Sequence, residues 1–274
     1  MTETQQNKRR AIVAVVASAA VGVALILLTH VAPYKVYLPM IQMGEARKAG
    51  AATPWQRTMN CQASVALNTS WAYNWGPTNK DNCETVEFVP MVWGKITSVP
   101  VLTDNSQWLL PFNEPNYSGQ AVMTPAQAVA MWSFLEATGR KLTTPAVSAC
   151  ENPNNPLCLN NHWLEQFMTA CVGCRIDALA LHYYSCSVND LRNYLAYRHA
   201  QYPSLPIWLT EFGCPTYAGD PVAFMRDAIP MLDSLSYVKR YAAFAVDTTG
   251  FSDFLSLTDG NGNLTTLGQV YAGL

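Results

Sequence analysis

Charged side chains are scarce in this 274-residue sequence. Asp, Glu, Lys and Arg make up only 13% of it, about half of the roughly 25% that is usual for soluble domains. The net charge is −2, and no run of basic residues occurs after residue 10. The sequence therefore lacks the clustered cationic surface by which proteins bind nucleic acids, and no nucleic-acid partner is predicted.

Histidine is also scarce, with four residues in the whole chain. Cys171 and Cys174 have the CxxC spacing of half a zinc site or of a redox motif. The sequence contains no second CxxC and no paired histidines that would complete a zinc site. We therefore predict no metal site and no cofactor, and a redox or metal role for this cysteine pair is kept only as a minor alternative.

One apolar segment accounts for part of the missing charge. Residues 11–29 contain no charged side chain, and a helix of this length, at about 1.5 Å per residue, nearly spans the roughly 30 Å hydrocarbon core of a bilayer. Basic residues occupy positions 8–10, whereas the next one is Lys35, so the positive-inside rule places the N-terminus in the cytosol. We predict a cytosolic tail (1–10), a transmembrane signal-anchor and an extracellular or lumenal body. Cleavage as a signal peptide, which would give a secreted protein, is the alternative.

All eight cysteines follow that segment. They are Cys61, Cys83, Cys150, Cys158, Cys171, Cys174, Cys186 and Cys214. An even number of cysteines in an oxidising compartment predicts disulfide bonds. Three Asn-x-Ser/Thr acceptors, at Asn68, Asn116 and Asn263, are consistent with a glycoprotein whose body lies in the lumen or outside the cell.

The rest of the chain alternates short apolar runs with helix-like segments. Residues 30–58 are rich in small and polar residues and are interpreted as a stalk, so the folded domain is predicted over 59–274. Strand candidates lie at 64–75, 86–94, 109–115, 142–149, 176–184, 207–213 and 241–246, with an eighth at 96–102. This alternation is typical of a parallel sheet, and about nine residues between the first two strands are too few for a crossover helix. We predict an α/β fold, a compact (β/α)8 TIM barrel with some short or missing crossover helices.

Two glutamates stand out by their position. Glu114 ends the run LLPFNE and Glu211 ends the run IWLTE, at the carboxyl ends of strand candidates, where α/β barrels place catalytic groups. Glu87 and Asp177 instead lie at strand starts. Two converging carboxyls can cleave a glycosidic bond, since one donates a proton and the other attacks the sugar or activates water. Glu114 and Glu211 are therefore the predicted catalytic residues.

Aromatic and polar residues cluster at the same strand ends. Flat rings stack on the CH faces of sugars, while amides and imidazoles bond to their hydroxyls. The aromatic residues are Trp71, Tyr73, Trp75, Trp93, Tyr183 and Tyr184, and the polar ones are Asn74, Asn113 and His182. All of these except Tyr73 and Trp75 are predicted substrate contacts. Each ring alone is explained as well by a place in the core, so the prediction rests on the joint pattern.

Six ordered motifs resemble glycoside hydrolase family 128, a clan A family of compact (β/α)8 enzymes that act on β-1,3-glucans. The matching stretches are SWAYNWG (70–76), FVPMVWG (88–94), LPFNEPN (110–116), CRIDALALHYY (174–184), LTEFGC (209–214) and LTDGNGNLTTLGQVY (257–271). The resemblance covers nearly the whole body of the protein.

The resemblance implies a retaining β-1,3-glucan hydrolase, with Glu114 after strand 4 as acid/base and Glu211 after strand 7 as nucleophile. It implies that Asn113 donates to the sugar hydroxyl beside the reacting carbon. It further implies that His182 and Tyr184 orient the nucleophile, with Tyr184 as a hydrogen-bond donor. Glu114 then needs a raised pKa and Glu211 needs hydrogen bonds that keep it ionised. A catalytically weak glucan-binding surface protein or sensor is the alternative.

One departure from the family lies on strand 8. The chain has Tyr241-Ala242-Ala243-Phe244, where family members commonly have Tyr-Ala-Trp-Phe. The missing indole implies that stacking near the cleaved sugar is either lost or supplied by Phe244, which completes the set of predicted substrate contacts.

The barrel order also implies four disulfide pairs, which are Cys61–Cys83, Cys150–Cys158, Cys171–Cys174 and Cys186–Cys214. One of the glycosylation acceptors, Asn116, follows Glu114 closely and would place a glycan beside the proposed cleft. We therefore expect Asn116 to be unmodified in the active protein.

Overall fold

The described part of the chain forms a ring of parallel strands. The structure is a computed structural model that describes residues 46–53, 61–79, 83–102, 104–150, 155–248, 254–259 and 261–273. Its strands are β1 (Ala49–Ala52), β2 (Trp71–Tyr73), β3 (Glu87–Phe88), β4 (Met91–Val92), β5 (Trp108–Pro111), β6 (Lys141–Leu142), β7 (Leu179–Tyr184), β8 (Ile207–Gly213) and β9 (Val238–Ala243). Every pairing between these strands is parallel.

Strands β3 and β4 are two halves of one barrel strand. Val89 and Pro90 separate them, and a proline cannot donate to the ladder. The ladder with β2 nevertheless continues on both sides, because Val89 N–H donates to the Ala72 carbonyl and Met91 N–H to the Gly76 carbonyl, each at 2.8 Å. The described strands therefore occupy eight positions in the ring.

The ring closes between β6 and β7. Beyond the end of β6, Thr143 forms a parallel bridge with Ala178, and Val147 forms one with Leu181. With β3 and β4 counted as one strand, β5 is the fourth strand and β8 the seventh. The predicted barrel is confirmed. Glu114 follows the fourth strand as predicted, whereas Glu211 lies within the seventh strand, two residues before its end.

Helices follow most strands on the outside of the ring. They are α1 (Cys61–Ala66), α2 (Pro125–Glu136), α3 (Trp163–Ala170), α4 (Val188–Gln201), α5 (Pro221–Ser234) and α6 (Thr266–Ala272). In the described residues no helix joins β2 to β3 or β4 to β5, as predicted for the first of these connections. Helix α2 begins at a capping box in which Thr124 Oγ1 accepts from Gln127 N–H at 3.2 Å and Gln127 Oε1 accepts from Thr124 N–H at 2.9 Å.

The start of the barrel corrects the predicted stalk. The stalk predicted over residues 30–58 includes β1, which pairs with both β2 and β9 inside the ring and is fully buried. The described residues from Ala46 onward belong to one compact unit. The Ala-Gly-Ala-Ala sequence of β1 resembles a linker because it has no β-branched or aromatic residue. Small residues are needed there, since a Cβ on Gly50 would lie within 2.4 Å of the indole nitrogen of Trp71.

Two strand candidates are also corrected. Residues 64–75, predicted as the first strand, contain the end of α1 and the second strand, β2. Residues 96–102, predicted as the third strand, form no strand, and the third position is filled by β3 and β4. The two errors cancel in the count, so strands 4 to 8 keep their predicted numbers.

All four predicted disulfides are present, namely Cys61–Cys83, Cys150–Cys158, Cys171–Cys174 and Cys186–Cys214. The first links the segments that precede β2 and β3. The last links the ends of the neighbouring strands β7 and β8. Because Cys171 and Cys174 are bonded to each other, a zinc site at this pair is contradicted.

The predicted cytosolic tail (1–10) and transmembrane segment (11–29) lie outside the described residues. Within the described ranges, no helix has both the length and the apolar character needed to cross a bilayer. The signal-anchor therefore stays a prediction from the sequence.

Candidate active site

A cleft of about 670 Å³ opens at the carboxyl ends of the strands. Six of the predicted residues line it, and they are Trp93, Asn113, Glu114, Tyr184, Glu211 and Phe244. Further aromatic walls come from Trp75, Tyr117, Tyr217 and Phe254. Of these, Tyr217 is 78% exposed and stands at the rim. An apolar, aromatic cleft with two carboxylates on its floor suits a sugar chain more than a charged ligand.

Glu114 sits just past the end of β5, on backbone that the neighbouring strands hold in place. Asn113 N–H donates to the Trp93 carbonyl at 2.9 Å, and Glu114 N–H donates to the Ala146 carbonyl at 2.7 Å. Phe112 and Glu114 both have positive φ angles, of 38° and 44°. Such conformations cost about 1–3 kcal/mol each and are concentrated at functional sites. The strained turn directs the Glu114 carboxyl into the cleft.

Glu211 lies within β8 and is 4% exposed. Its Oε1 accepts from the indole N–H of Trp75 at 2.8 Å and from the hydroxyl of Tyr73 at 3.4 Å. Its Oε2 accepts from the hydroxyl of Tyr184 at 2.6 Å. Tyr73 ends β2 and Trp75 lies two residues beyond it, whereas Tyr184 comes from β7, the strand adjacent to β8. Neutral donors on two sides therefore fix the plane of this carboxylate.

His182 lies between the two carboxylates and is fully buried. Its Nδ1 is 2.9 Å from Glu114 Oε1 and 3.5 Å from Glu211 Oε2. One oxygen of Glu114, one oxygen of Glu211 and a ring nitrogen of His182 all lie within 4.8 Å of one another. Three such ligands in one place could bind a divalent cation, but the same groups are already joined to each other and to Tyr and Trp donors. The set fits proton transfer between carboxyls better than metal ligation.

Burial and neighbouring charge set the protonation of this cluster. Burial raises the pKa of Glu211, and the charge of Glu114 raises it further, although His182 and the Tyr184 and Trp75 donors act in the opposite direction. Burial alone would lower the pKa of His182, but the charge of Glu211 and the hydrogen bond with Glu114 outweigh it and raise that pKa. Burial and the charge of Glu211 raise the pKa of the Tyr184 hydroxyl well above its ordinary value, so it stays a donor.

The model of one protein family matches almost the whole barrel. Residues 50–271 match the model described as "Glycosyl hydrolase catalytic core". The chain belongs to this glycosyl hydrolase family. The matched residues include the strands that carry Glu114 and Glu211.

Solved structures of similar proteins agree with the family. A subgroup II endo-β-1,3-glucanase of family 128 from Sorangium cellulosum is 29% identical, with 82% of this chain and 97% of that chain covered and a TM-score of 0.72. A subgroup I endo-β-1,3-glucanase of family 128 from Amycolatopsis mediterranei, in complex with laminaritriose, is 27% identical, with 84% and 99% covered and a TM-score of 0.66. The resemblance to family 128 is thereby confirmed.

A curated relative is the Alkali-sensitive linkage protein 1 of Schizosaccharomyces pombe. It is 28% identical over 226 residues, which is 76% of this chain. The chain spans only 41% of the length of that relative.

Four predicted contacts of this glycosyl hydrolase do not line the cleft. His182 is fully buried beside the two carboxylates. Trp71 is completely buried in the barrel interior, where its indole N–H donates to the Lys48 carbonyl. Asn74 does not line the cleft, and its side chain bonds to the backbone of Gly76 and Thr78. Tyr183 is 2% exposed and stacks on Tyr194 of α4. The alternation of side chains along a strand explains Tyr183, since its neighbours on either side face the interior.

Ala243 stands where family members commonly have Trp, so the aromatic wall near the cleaved sugar has to be lost or supplied by Phe244. This residue packs in the layer between the sheet and the helices, and its N–H donates to the Tyr271 hydroxyl at 3.3 Å. Phe244 instead lines the cleft and packs edge-to-face against Trp75 and Tyr184. The aromatic wall at this point is therefore present and is formed by Phe244.

Asn113 and Asn116 have different surroundings. Asn113 lines the cleft, and its amide nitrogen donates to Gln120 Oε1 at 3.2 Å. An amide nitrogen carries two hydrogens, so the donor role that the resemblance implied stays a prediction. Asn116 is 2% exposed, and its amide both donates to and accepts from the backbone of Ser148. That burial agrees with the expectation that Asn116 is unmodified, which stays a prediction.

Sequence analysis missed two residues that contact the carboxylates, Tyr73 and Trp75. Both belong to the motif SWAYNWG. Trp71 and Tyr73 lie on the interior side of β2, and Trp75 follows the strand in a left-handed turn with a φ angle of 58°. The motif contains both residues, but the sequence alone does not show where the strand ends and which ring reaches Glu211.

Proposed function

We propose that this glycosyl hydrolase cleaves β-1,3-glucan with retention of anomeric configuration, with Glu114 as acid/base and Glu211 as nucleophile. The short distance between the two carboxyls carries the proposal, since one oxygen of each lies within 4.8 Å of the other. Retaining enzymes have carboxyls about 5 to 5.5 Å apart, whereas inverting enzymes need about 6.5 to 9.5 Å to admit a water. The space between Glu114 and Glu211 is too small for that water.

The first half of the reaction forms a covalent intermediate. Glu211 attacks the anomeric carbon while Glu114 gives its proton to the departing glycosidic oxygen, so the bond to the leaving sugar breaks as the ester to Glu211 forms. In the second half, Glu114 takes a proton from water, and the resulting hydroxide displaces Glu211 from the anomeric carbon. The overall balance is one glycosidic bond and one water consumed.

One shared proton makes these roles compatible. Two buried carboxylates this close are poorly tolerated when both are charged without compensation. His182 Nδ1 is within hydrogen-bonding distance of Glu114 Oε1, so a proton on either atom gives the cluster the same net charge. The proton on Glu114 is available for the leaving oxygen, and Glu211 keeps its charge under the hydrogen bonds from Tyr184 and Trp75.

The substrate proposal rests on the relatives and on the lining of the cleft. Both solved relatives described above are endo-β-1,3-glucanases, and one was crystallised with laminaritriose. In this chain, the rings of Trp93, Phe244 and Tyr217 form walls on which glucose units can stack. Asn113 also lines the cleft and brings a polar amide beside these rings.

We also propose that the barrel lies outside the cytosol, attached to the membrane by residues 11–29 or secreted. All eight cysteines of the chain are paired in disulfides. Such complete pairing is usual in extracellular and lumenal proteins and rare in the cytosol. Protease protection of the barrel in intact cells would test its side of the membrane, and sequencing of the mature N-terminus would separate an anchor from a cleaved signal.

Hydrolysis of a soluble β-1,3-glucan tests the activity. We expect the wild-type protein to release laminari-oligosaccharides, with the β-anomer appearing first in the proton NMR spectrum. Glu211→Gln should abolish release because a neutral amide cannot attack the anomeric carbon. The α-anomer as first product would contradict retention. Binding of glucan without any turnover would instead support a glucan-binding surface protein or sensor.

A further inference from the structure

We infer that Trp75 is a positioning residue for the nucleophile, and that the turn built by Asn74 holds Trp75 in place. The inference rests on the proposed function, because it takes Glu211 as the attacking group. Neither residue needs to contact the sugar for this role.

Trp75 is the nearest donor to one oxygen of the carboxylate. Its Nε1 lies 2.8 Å from Glu211 Oε1, whereas the Tyr73 hydroxyl lies 3.4 Å away and is closer to the Thr210 carbonyl, at 2.9 Å. The other oxygen, Oε2, has the Tyr184 hydroxyl at 2.6 Å. One near donor on each oxygen prevents rotation of the carboxylate. An indole N–H can only donate and does not titrate, so this contact is the same at every working pH.

The backbone at Trp75 is strained. Its φ angle is 58°, which is left-handed backbone that a bulky residue rarely adopts. Asn74 stabilises the turn, since its Oδ1 accepts from Gly76 N–H at 3.0 Å and its Nδ2 donates to the Thr78 carbonyl at 3.1 Å. The Trp75 ring also packs edge-to-face on Tyr73 and Phe244, with centroids 5.0 and 5.9 Å away. Backbone strain that the surroundings maintain in this way is characteristic of functional positions.

The contact also affects protonation. Burial raises the pKa of Glu211, while the hydrogen bonds from Tyr184 and Trp75 act against that rise. The other titratable groups that face Glu211 are Glu114, His182 and Tyr73. Without the indole N–H, Oε1 would keep only the long bond from Tyr73. The ionised form would then be less favoured, and the carboxylate would be freer to turn.

The decisive experiment compares the same substitution at two tryptophans of one cleft. Trp75→Phe removes the N–H and keeps an aromatic ring, and we expect kcat/KM on soluble β-1,3-glucan to fall about 10- to 100-fold, as for other hydrogen bonds to a charged group. The acid limb of the pH profile of kcat/KM should move to higher pH. Trp93→Phe is the control, because Trp93 lines the cleft without bonding to Glu211. It should act mainly through KM and leave the acid limb in place.

A second pair of variants tests the turn. Asn74→Ala removes both side-chain bonds and should reproduce part of the loss and of the shift in the acid limb, whereas Asn74→Ser, which keeps a neutral acceptor for Gly76 N–H, should recover part of both. Should Trp75→Phe fail to fold, this pair carries the test. An unshifted acid limb in Trp75→Phe, or in Asn74→Ala, would overturn the inference. Absence of turnover in the wild type would instead refute the proposed function.

Discussion

Carboxylates have different kinds of partners at the two ends of this barrel. At the amino ends of the strands, Glu87 pairs with the guanidinium of Arg240 at 2.5 Å and accepts from the Ser106 hydroxyl at 2.8 Å. At the carboxyl ends, Glu114 and Glu211 form no ion pair with Lys or Arg among the described residues, and their partners are His182, Trp and Tyr donors. A cavity of about 870 Å³ lies at the first end, and the cleft of about 670 Å³ at the other end carries the paired carboxylates.

The difference follows from what each carboxylate has to do. Arg240 is a permanent cation, and its ion pair with Glu87 suits a structural charge. The guanidinium of Arg240 also lies over the rings of Trp71 and Trp208, 5.5 and 4.3 Å from their centroids, and covers the amino end of the barrel interior. A group that must exchange a proton or form an ester cannot be held so firmly. Neutral donors and an imidazole orient the carboxylates and leave them reactive.

The largest effect on catalysis is expected from loss of the proton donor, Glu114, at the carboxyl ends of the strands. Glu114→Gln should lower kcat on β-1,3-glucan by about 10²- to 10⁴-fold, the range for loss of a general acid. An aryl glucoside with a good leaving group should lose much less in its first step, because its departure needs no proton. Burst and steady-state kinetics on both substrates measure this difference. Equal losses on the two substrates would show that Glu114 does not act as the acid.

A smaller effect, on stability and not on catalysis, is expected at the amino ends of the strands, where Glu87 pairs with Arg240. Glu87→Gln should lower the free energy of unfolding by about 1–3 kcal/mol, because it leaves Arg240 partly buried without its counter-charge, with some relief from solvent at this half-buried site. Denaturant unfolding of Glu87→Gln, Arg240→Met and the double variant forms the test. The double variant should lose less than the sum of the two singles. Catalysis per folded molecule should stay at the wild-type level, and a loss there would break the contrast between the two ends.

The same contrast explains which parts of the site could be predicted from sequence. Glu114 and Glu211 were predictable because the carboxyl ends of parallel strands converge, so a charge that ends an apolar run marks the mouth. The depth of a residue along its strand was not predictable from the run alone. The run therefore predicts Trp71 as a sugar contact, although this ring lies beside Arg240 at the amino end of the barrel, and it does not single out Trp75.

The first strand shows a different limit. Strand β1 is made of Ala and Gly, whose small side chains give no periodic signal, and its conformation depends on the indole of Trp71 lying against Gly50. That requirement comes from a partner more than 20 positions away in the chain and is invisible locally.

The smallest effect is expected on the free energy of unfolding when the charge of Glu211 is removed. Its removal should stabilise the protein, whereas removal of the charge of Glu87 should destabilise it. Glu211 has a folded-state pKa above its ordinary value, chiefly through burial. The folded protein then binds more protons than the unfolded chain between the two pKa values. The stability that Glu211 contributes is fully present below its pKa in the unfolded chain. It is lost as the pH rises through its pKa in the folded protein. A wild-type protein at neutral pH therefore carries a destabilising charge at this position.

Glu211→Gln should consequently be inactive and yet more stable than the wild type at neutral pH. We expect an increase of about 1 kcal/mol in the free energy of unfolding, or about 2–4 °C in Tm for a domain of this size. The advantage should shrink as the pH falls toward about 4, near the ordinary pKa of a glutamate, because the wild-type carboxyl is then neutral too. Thermal melts of both proteins across this range measure the difference. A variant less stable than the wild type at neutral pH would mean that the Trp75 and Tyr184 bonds outweigh burial, and that Glu211, like Glu87, is a charge the fold stabilises.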